Sequence, residues 1–557
     1  MFLLLWNSSR ARLHETIIPG HARRHGMPWQ PHDASRRALI NGSIRPMTTP
    51  DATSEAIAWD GDTVVALGDT AVRAWADQHG VPLEDLEGRT VIPGFVDAHT
   101  HFLHVEVKHL RPDLRGAKNR SEALDRVAAF LAAHPDGPVI AEGWDEDGWP
   151  DGPPTIEDAD RLAPDRPLVL RRICGHKAVA NHAALPLIRA TWDDDALVNM
   201  ETGVLLEQPS LYLNEVLPVP DEQLDQAVQA CCRTAHRLGI TALGDYEQAP
   251  MRDALLRAAA AGTLSVRVAC SIYTQQLESA MAEGFRTGRH APGPDGPSPW
   301  MQDAGLKVFL DGSLGGHTAY LREPYCDHGG HGMPNWGDDE VADWFQKAHD
   351  ADIQIHAHAI GDAAIDQGLD AFADLKPSDE AQGCAVDGTP LRHRFEHYEI
   401  VHDEQIQRTH ELGIVASSQP NFVGVWSSKG GMYEDRLGER FLLNNRFQTF
   451  RNAGLRLAFG SDGMPFGPLY GLQAAIDHPV PEERLSPAEA VWHYTKEAAW
   501  SLHMDDVGHL SVGAKADVLV LDTHDLDGTA PKTWTILETI SGGVSRGGNT
   551  EPILHEV

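Results

Sequence analysis

Positive charge is in short supply: 46 lysines and arginines face 81 aspartates and glutamates, a formal net charge of −35 over 557 residues. A surface this acidic repels phosphate backbones and anionic lipid, so nucleic-acid and membrane-surface binding are excluded as first readings. Cysteine is scarce too. The six thiols (Cys174, Cys231, Cys232, Cys270, Cys326, Cys384) show no Cys-x-x-Cys spacing, and free buried thiols are expected. No apolar run approaches the roughly 18 residues that a membrane-spanning helix needs. The opening Met1–Trp6 run lacks a basic lead and a small-residue cleavage site, so no signal peptide is read and a cytoplasmic location is expected. There is no repeat of fixed period and no low-complexity tract.

What is present is globular: 42% hydrophobic and 23% charged residues. Residues 1–36 are polar and without clear period, and are read as an extension. From Ala38 to about residue 92, short strand-like runs separated by turns predict a small all-β unit. Beyond Ile92-Pro93-Gly94 strands alternate with helical segments, and eight strand candidates can be counted: 94–102, 240–246, 265–273, 305–313, 353–362, 393–400, 413–420 and 455–463. Eight such units predict an α/β fold with a (β/α)8 TIM-type barrel over 93–503. The stretch from about 105 to 225 is too long for one connection and carries its own strands, PVIAEGW and PLVLRRI, so it is read as an inserted subdomain over the barrel mouth. After about residue 504 the β texture returns, and residues 37–92 plus 504–557 are expected to pair in one β-sandwich domain.

Thirty histidines are the unusual feature of the composition, and their positions matter more than their number. Chemistry in such a barrel sits where strands end at the C-terminal face. His99 and His101 end the first strand, and their spacing of two points both rings the same way. Lys307 lies among Val308, Phe309 and Leu310 on the fourth strand, where an ammonium group is costly unless paired or chemically changed. The fifth strand carries His356 and His358, the sixth His397, and the eighth ends in Ser461-Asp462-Gly463. Singly, each has an ordinary reading as a core histidine, an ion-paired lysine or a turn. Jointly they fall at the ends of strands one, four, five, six and eight, and they offer imidazole and carboxylate ligands suited to a divalent cation such as Zn²⁺.

Ten ordered segments, VIPGFVDAHTHF, GWDEDGW, RPLVLRRICGHKAVAN, TGVLLE, LGITALGD, GLKVFLDGSLGGHTA, HAIGDAAID, RFEHYEI, FGSD and LSVGAKADVLVLD, resemble the amidohydrolase superfamily. The resemblance is to amidohydrolase family 3, the group that includes N-substituted formamide deformylases and proteins resembling YtcJ and AepA. It implies metal positions at His99, His101, His358, His397 and Asp462. It also implies that Lys307 stands where binuclear members carry a CO₂-derived carbamate. The family's metal histidine precedes Gly-Asp by two residues, which selects His358 and leaves His356 to the core or to supporting bonds. His176 resembles a pocket-facing histidine of the insertion. Gly316-His317 replaces the usual small residue and arginine, so a substrate contact there differs.

The resemblance further implies a hydrolase of non-peptide carbon–nitrogen bonds, with one or two ions, zinc the first candidate, activating water. Asp462 would serve as base and then acid, and His176 or His317 would stabilise the oxyanion. The expected substrate is a small-molecule amide, with N-substituted formamides and N-acyl amines foremost, and homo-oligomers are compatible with the chain. Two alternatives stay open: a mononuclear deaminase-like member with an ordinary Lys307, and a non-catalytic regulatory or assembly protein on the same barrel.

Overall fold

The computed structural model describes residues 35–107, 110–146, 149–173, 175, 177–375 and 390–549. Its centre is a ring of eight strands: Phe95–Thr100, Ile240–Asp245, Arg267–Tyr273, Gly296–Phe309, Gln354–Ala359, Arg394–His397, Val415–Ser418 and Leu457–Phe459. Each of the first seven pairs in parallel with its successor. All eight expected strands are present. The fourth starts earlier than expected, at Gly296, because its polar lead folds back antiparallel on His290–Gly293. Helices alternate with the strands and bury one face each. In Asp221–Arg237 the buried positions Leu224, Ala227, Val228, Cys231, Cys232 and Ala235 recur at three and four residues. That helix ends at Gly239 with φ 76°, where a Cβ would lie 2.9 Å from Ile536 and Leu519 side chains, so only glycine lets the chain turn into the second strand there.

The ladder is open between the eighth and first strands. Side chains and one main-chain bond hold that seam. Asp97 accepts from the Ser461 amide at 2.8 Å and its hydroxyl at 2.5 Å, and the Asp462 amide donates to the His99 carbonyl at 2.7 Å. Sequence-distant residues 97–99 and 461–462 are thereby brought side by side. Small residues, Ala98, Ala242, Ala269, Ala304 and Ala458, pack against Leu502 and Met504. Above that layer the barrel interior is polar, with Arg394, Glu396, His356, Gln354 and Ser417 all without solvent exposure.

Between the first and second strands the chain builds a four-stranded sheet in the order Val204–Leu206, Lys177–Ala180, Leu168–Arg172, Val139–Trp144, with its own core from Leu114 to Leu217. Two further sheets contain the ends of the described chain. One holds Arg36–Ile40, Ile57–Asp60, Thr63–Leu67 and Leu83–Asp85; in the other, Thr90–Pro93 pairs antiparallel with Val518–Leu521. The described residues belong to one compact unit. No helix among the described residues is long and apolar enough to cross a membrane.

A buried ion pair ties barrel to end sheets: Arg267 Nε lies 2.8 Å from Asp517, and both side chains are under 5% exposed (4% and 2%). Removing one partner strands the other charge in a low-dielectric site. Asp517→Ala should therefore destabilise the fold by about 3–5 kcal/mol, read as a clear drop in thermal midpoint. An unchanged midpoint contradicts this role.

Candidate metal centre

His99, His101 and Asp462 place one potential donor atom each within 4.8 Å of one another at the C-terminal end of the barrel. The local folding that aligns them is specific. Asp245 and Glu247, at the end of the second strand, accept the amides of Phe102 at 2.9 Å and His104 at 2.8 Å, which fixes the turn leaving His101. Asp462 and His397 both adopt left-handed backbone, with φ of 53° and 72°. Such conformations cost energy in residues with a Cβ and persist where the surroundings impose them. At His397 the departure from extended backbone ends the strand and lets consecutive residues, Glu396 and His397, both approach His99: the Glu396 carboxylate is 2.6 Å from its Nδ1, and the His397 ring centroid is 4.9 Å from that of His99.

A carboxylate can only accept, so His99 Nδ1 carries the hydrogen and Nε2 presents its lone pair to the cluster. There it meets Lys307 Nζ at 3.3 Å and Asp462 Oδ1 at 3.6 Å. His101 Nε2 is 3.3 Å from Asp462 Oδ1, and at 34% side-chain exposure it is where the cluster opens to solvent. The His358 ring lies 4.3 Å from that of His397. Its Nε2 bonds the Gly312 carbonyl at 3.0 Å, while its buried Nδ1 has no hydrogen-bond partner. His397 Nδ1 is 2.7 Å from Gln419 Oε1. His99, His101 and Asp462 with an orphaned buried imidazole nitrogen on His358, whose ring lies against that of His397, offer a donor set that fits a divalent ion.

Burial is the largest influence on the electrostatics of the cluster. Burial, with Lys307 adding to it, lowers His99 to about 4 and His358 to about 3. Burial and then His358 hold His397 well below the ordinary range. His101 goes the other way: burial pulls it down, but its bond to Asp462 and that carboxylate's charge raise it to about 9. Asp462 is correspondingly held below its ordinary range, burial being outweighed by the His101 bond. Burial lowers Lys307 to about 8. Among the described residues no carboxylate lies within ion-pair distance of Lys307. Its nearest partners are His99 and the rings of Tyr246 and Phe309, at 4.6 and 5.1 Å.

Other expected residues fall differently. His356 commits both nitrogens to supporting bonds, Nε2 to Gln354 at 2.9 Å and Nδ1 to Tyr246 at 2.8 Å and Ser271 at 3.2 Å. His317 sits on the loop after the fourth strand with Nε2 3.1 Å from Asp327, a carboxylate it shares with Arg436. His176 lies outside the described residues. Residues that sequence reasoning did not single out are Glu396, Tyr246, Asp97 and Gln419. Glu396 carried a readable signal: with Arg394 it sets opposite charges two residues apart on one expected strand, and it immediately precedes His397.

The family model described as the amidohydrolase family matches residues 83–546. YtcJ of Bacillus subtilis (strain 168) is 29% identical over 497 residues, covering 82% of this chain and 89% of that protein. N-substituted formamide deformylase of Arthrobacter pascens is 25% identical over 553 residues, 91% of this chain and 97% of that one. Among solved structures, an uncharacterized metal-dependent hydrolase from Pyrococcus horikoshii OT3 superposes with a TM-score of 0.75 at 25% identity, covering 89% of this chain and 99% of that chain.

Because His101 is raised to about 9, it holds a proton at neutral pH that an incoming ion must displace. Zinc affinity of the metal-free protein, measured by competition with a chelator of known protonation, should therefore fall about tenfold between pH 7.5 and 6.5. A pH-independent affinity over that interval contradicts the arrangement.

Proposed function

The chain belongs to the amidohydrolase family, and we propose that it is a metal-dependent hydrolase of a non-peptide carbon–nitrogen bond, with N-substituted formamides and N-acyl amines as the first substrate class. The observation that carries this reading is the convergence of His99, His101, His358, His397 and Asp462 on one barrel end, with an orphaned imidazole nitrogen among them. The deformylase activity named for the Arthrobacter pascens relative supports the substrate class.

His99, His101, His358, His397 and Asp462 would hold the ion, which when bound supplies Lewis-acid polarisation of the substrate carbonyl and lowers the pKa of water toward about 7. The chain's own residues do the rest. Asp462 spends Oδ1 on His101 at 3.3 Å, and its Oδ2 has no bond to another side chain among the described residues. That oxygen is placed to take a proton from the attacking water and to return it to the departing nitrogen, so one carboxylate acts as base and then acid. The open edge at His101 admits substrate, while buried His99, His358 and His397 keep bulk water from the inner side.

Lys307 fits the carbamate reading. A buried amine lowered to about 8 keeps an appreciable neutral fraction near neutral pH, and its nitrogen can attack CO₂, forming an N–C bond and releasing one proton. The product is an anion where the structure has a cation with no carboxylate within ion-pair distance among the described residues.

Purified protein should contain one or two equivalents of divalent metal and hydrolyse members of a panel of N-formyl amines, N-acetyl amines and cyclic amides. Lys307→Ala should lose at least one metal equivalent and nearly all turnover, with partial recovery in short carboxylates. Asp462→Asn should retain histidine-bound metal and lose turnover by about 100-fold or more. A Lys307→Ala protein with full metal content and unchanged turnover shows that the lysine is structural only.

A further inference from the structure

Inside the barrel, bonds between strands that are not neighbours in the sheet must cross the interior. The first and sixth strands are such a pair, separated by the seventh and eighth. Glu396 on the sixth strand reaches His99 on the first, its Oε2 lying 2.6 Å from Nδ1. The other carboxylate oxygen, Oε1, is occupied separately: it accepts from the Tyr246 hydroxyl at 2.8 Å and from Arg394 Nε. Arg394 does not take both oxygens in a two-pronged grip. Its Nη2 is spent elsewhere, on the Ala98 carbonyl at 2.7 Å and the Tyr246 hydroxyl at 2.9 Å, and its Nη1 on Ser501 at 3.0 Å. Oε2 is left for the imidazole. Arg394, Glu396 and Tyr246 are each 1% exposed or less.

We propose that Glu396, held in place by Arg394 and Tyr246, is a positioning residue that fixes the tautomer and ring plane of His99 so that Nε2 is presented as a ligand atom. This rests on the metal-site reading above. Arg394 and Glu396, two apart on one strand, hold both the backbone before His99, through the Ala98 carbonyl, and its ring. Mere neutralisation of Arg394 needs neither the short Oε2 bond nor the contact at Ala98. A ligating histidine whose second nitrogen is bonded to a carboxylate is both oriented and made more basic, and loss of such a partner lowers metal affinity by about 10- to 100-fold.

The test is a double-mutant cycle on zinc affinity, measured by chelator competition on folded protein. Glu396→Gln should weaken zinc binding by about 10- to 100-fold in the wild-type background and cause no further loss in a His99→Ala background, because the effect runs through His99. Glu396→Gln also leaves Arg394 without its counter-charge. Should that variant not fold, Glu396→Asp keeps the charge opposite Arg394 while withdrawing the carboxylate from His99, and the same pattern is expected. Wild-type affinity in the folded variant overturns the proposal, and so does an equal loss in both backgrounds, which marks a general structural role. Failure of the wild-type protein to bind any divalent ion is a different result: it overturns the metal-site reading itself.

Discussion

A carboxylate with no solvent exposure, Glu396, sits 2.6 Å from the His99 ring in the middle of the barrel, and the arrangement of the other groups follows from the need to keep that charge buried. An isolated buried carboxylate costs several kcal/mol even after relaxation. Here Arg394, Tyr246 and His99 together satisfy it, so burial is outweighed and the group stays ionised, with Arg394 the largest counterweight and His99 next. In return it sets the direction of the His99 lone pair. Removing any member leaves a charge or a donor stranded, which makes the set behave as a unit rather than as separable bonds.

The outer half of the site is built from compensation of a second kind. Several imidazoles and an ammonium group lie close together beside Asp462, and burial forces most of the rings to be neutral. Neutral rings are what metal ligation requires. The left-handed backbone at Asp462 is held by its surroundings: Asp97 grips Ser461, and the Asp462 amide bonds the His99 carbonyl at 2.7 Å. The strained turn that delivers the carboxylate is therefore also the fastening of the one open seam in the barrel.

Much of the fold was legible because its signals are local. The alternation of apolar strands with amphipathic helices marked all eight barrel strands, and the excess length after the first strand marked the insertion, which has a sheet and core of its own. The beginning of the fourth strand was not legible, since Gln302 and Asp303 break the apolar pattern and pairing with His290–Gly293 is a matter of tertiary structure. In the site, histidines at strand ends could be found by position, and the structure brings His99, His101, His358, His397, Lys307 and Asp462 together. The partners of those side chains could not be found so. Tyr246 and Asp97 matter through contacts that cross the barrel or its seam, and Gln419 through a bond to His397 on the neighbouring strand, and sequence spacing carries no trace of such contacts. His356 shows the converse, a histidine in an apparently eligible place whose two nitrogens are committed to Gln354, Tyr246 and Ser271.

The central claim is that these groups form one divalent-metal site. Anomalous diffraction from crystals of the zinc-loaded protein, recorded on both sides of the zinc absorption edge, tests it most directly. The account predicts a peak about 2.0–2.3 Å from the His99 and His101 Nε2 atoms and an Asp462 oxygen. Zinc bound only elsewhere on the molecule, with the His99 and His101 nitrogens free of it, would contradict the account.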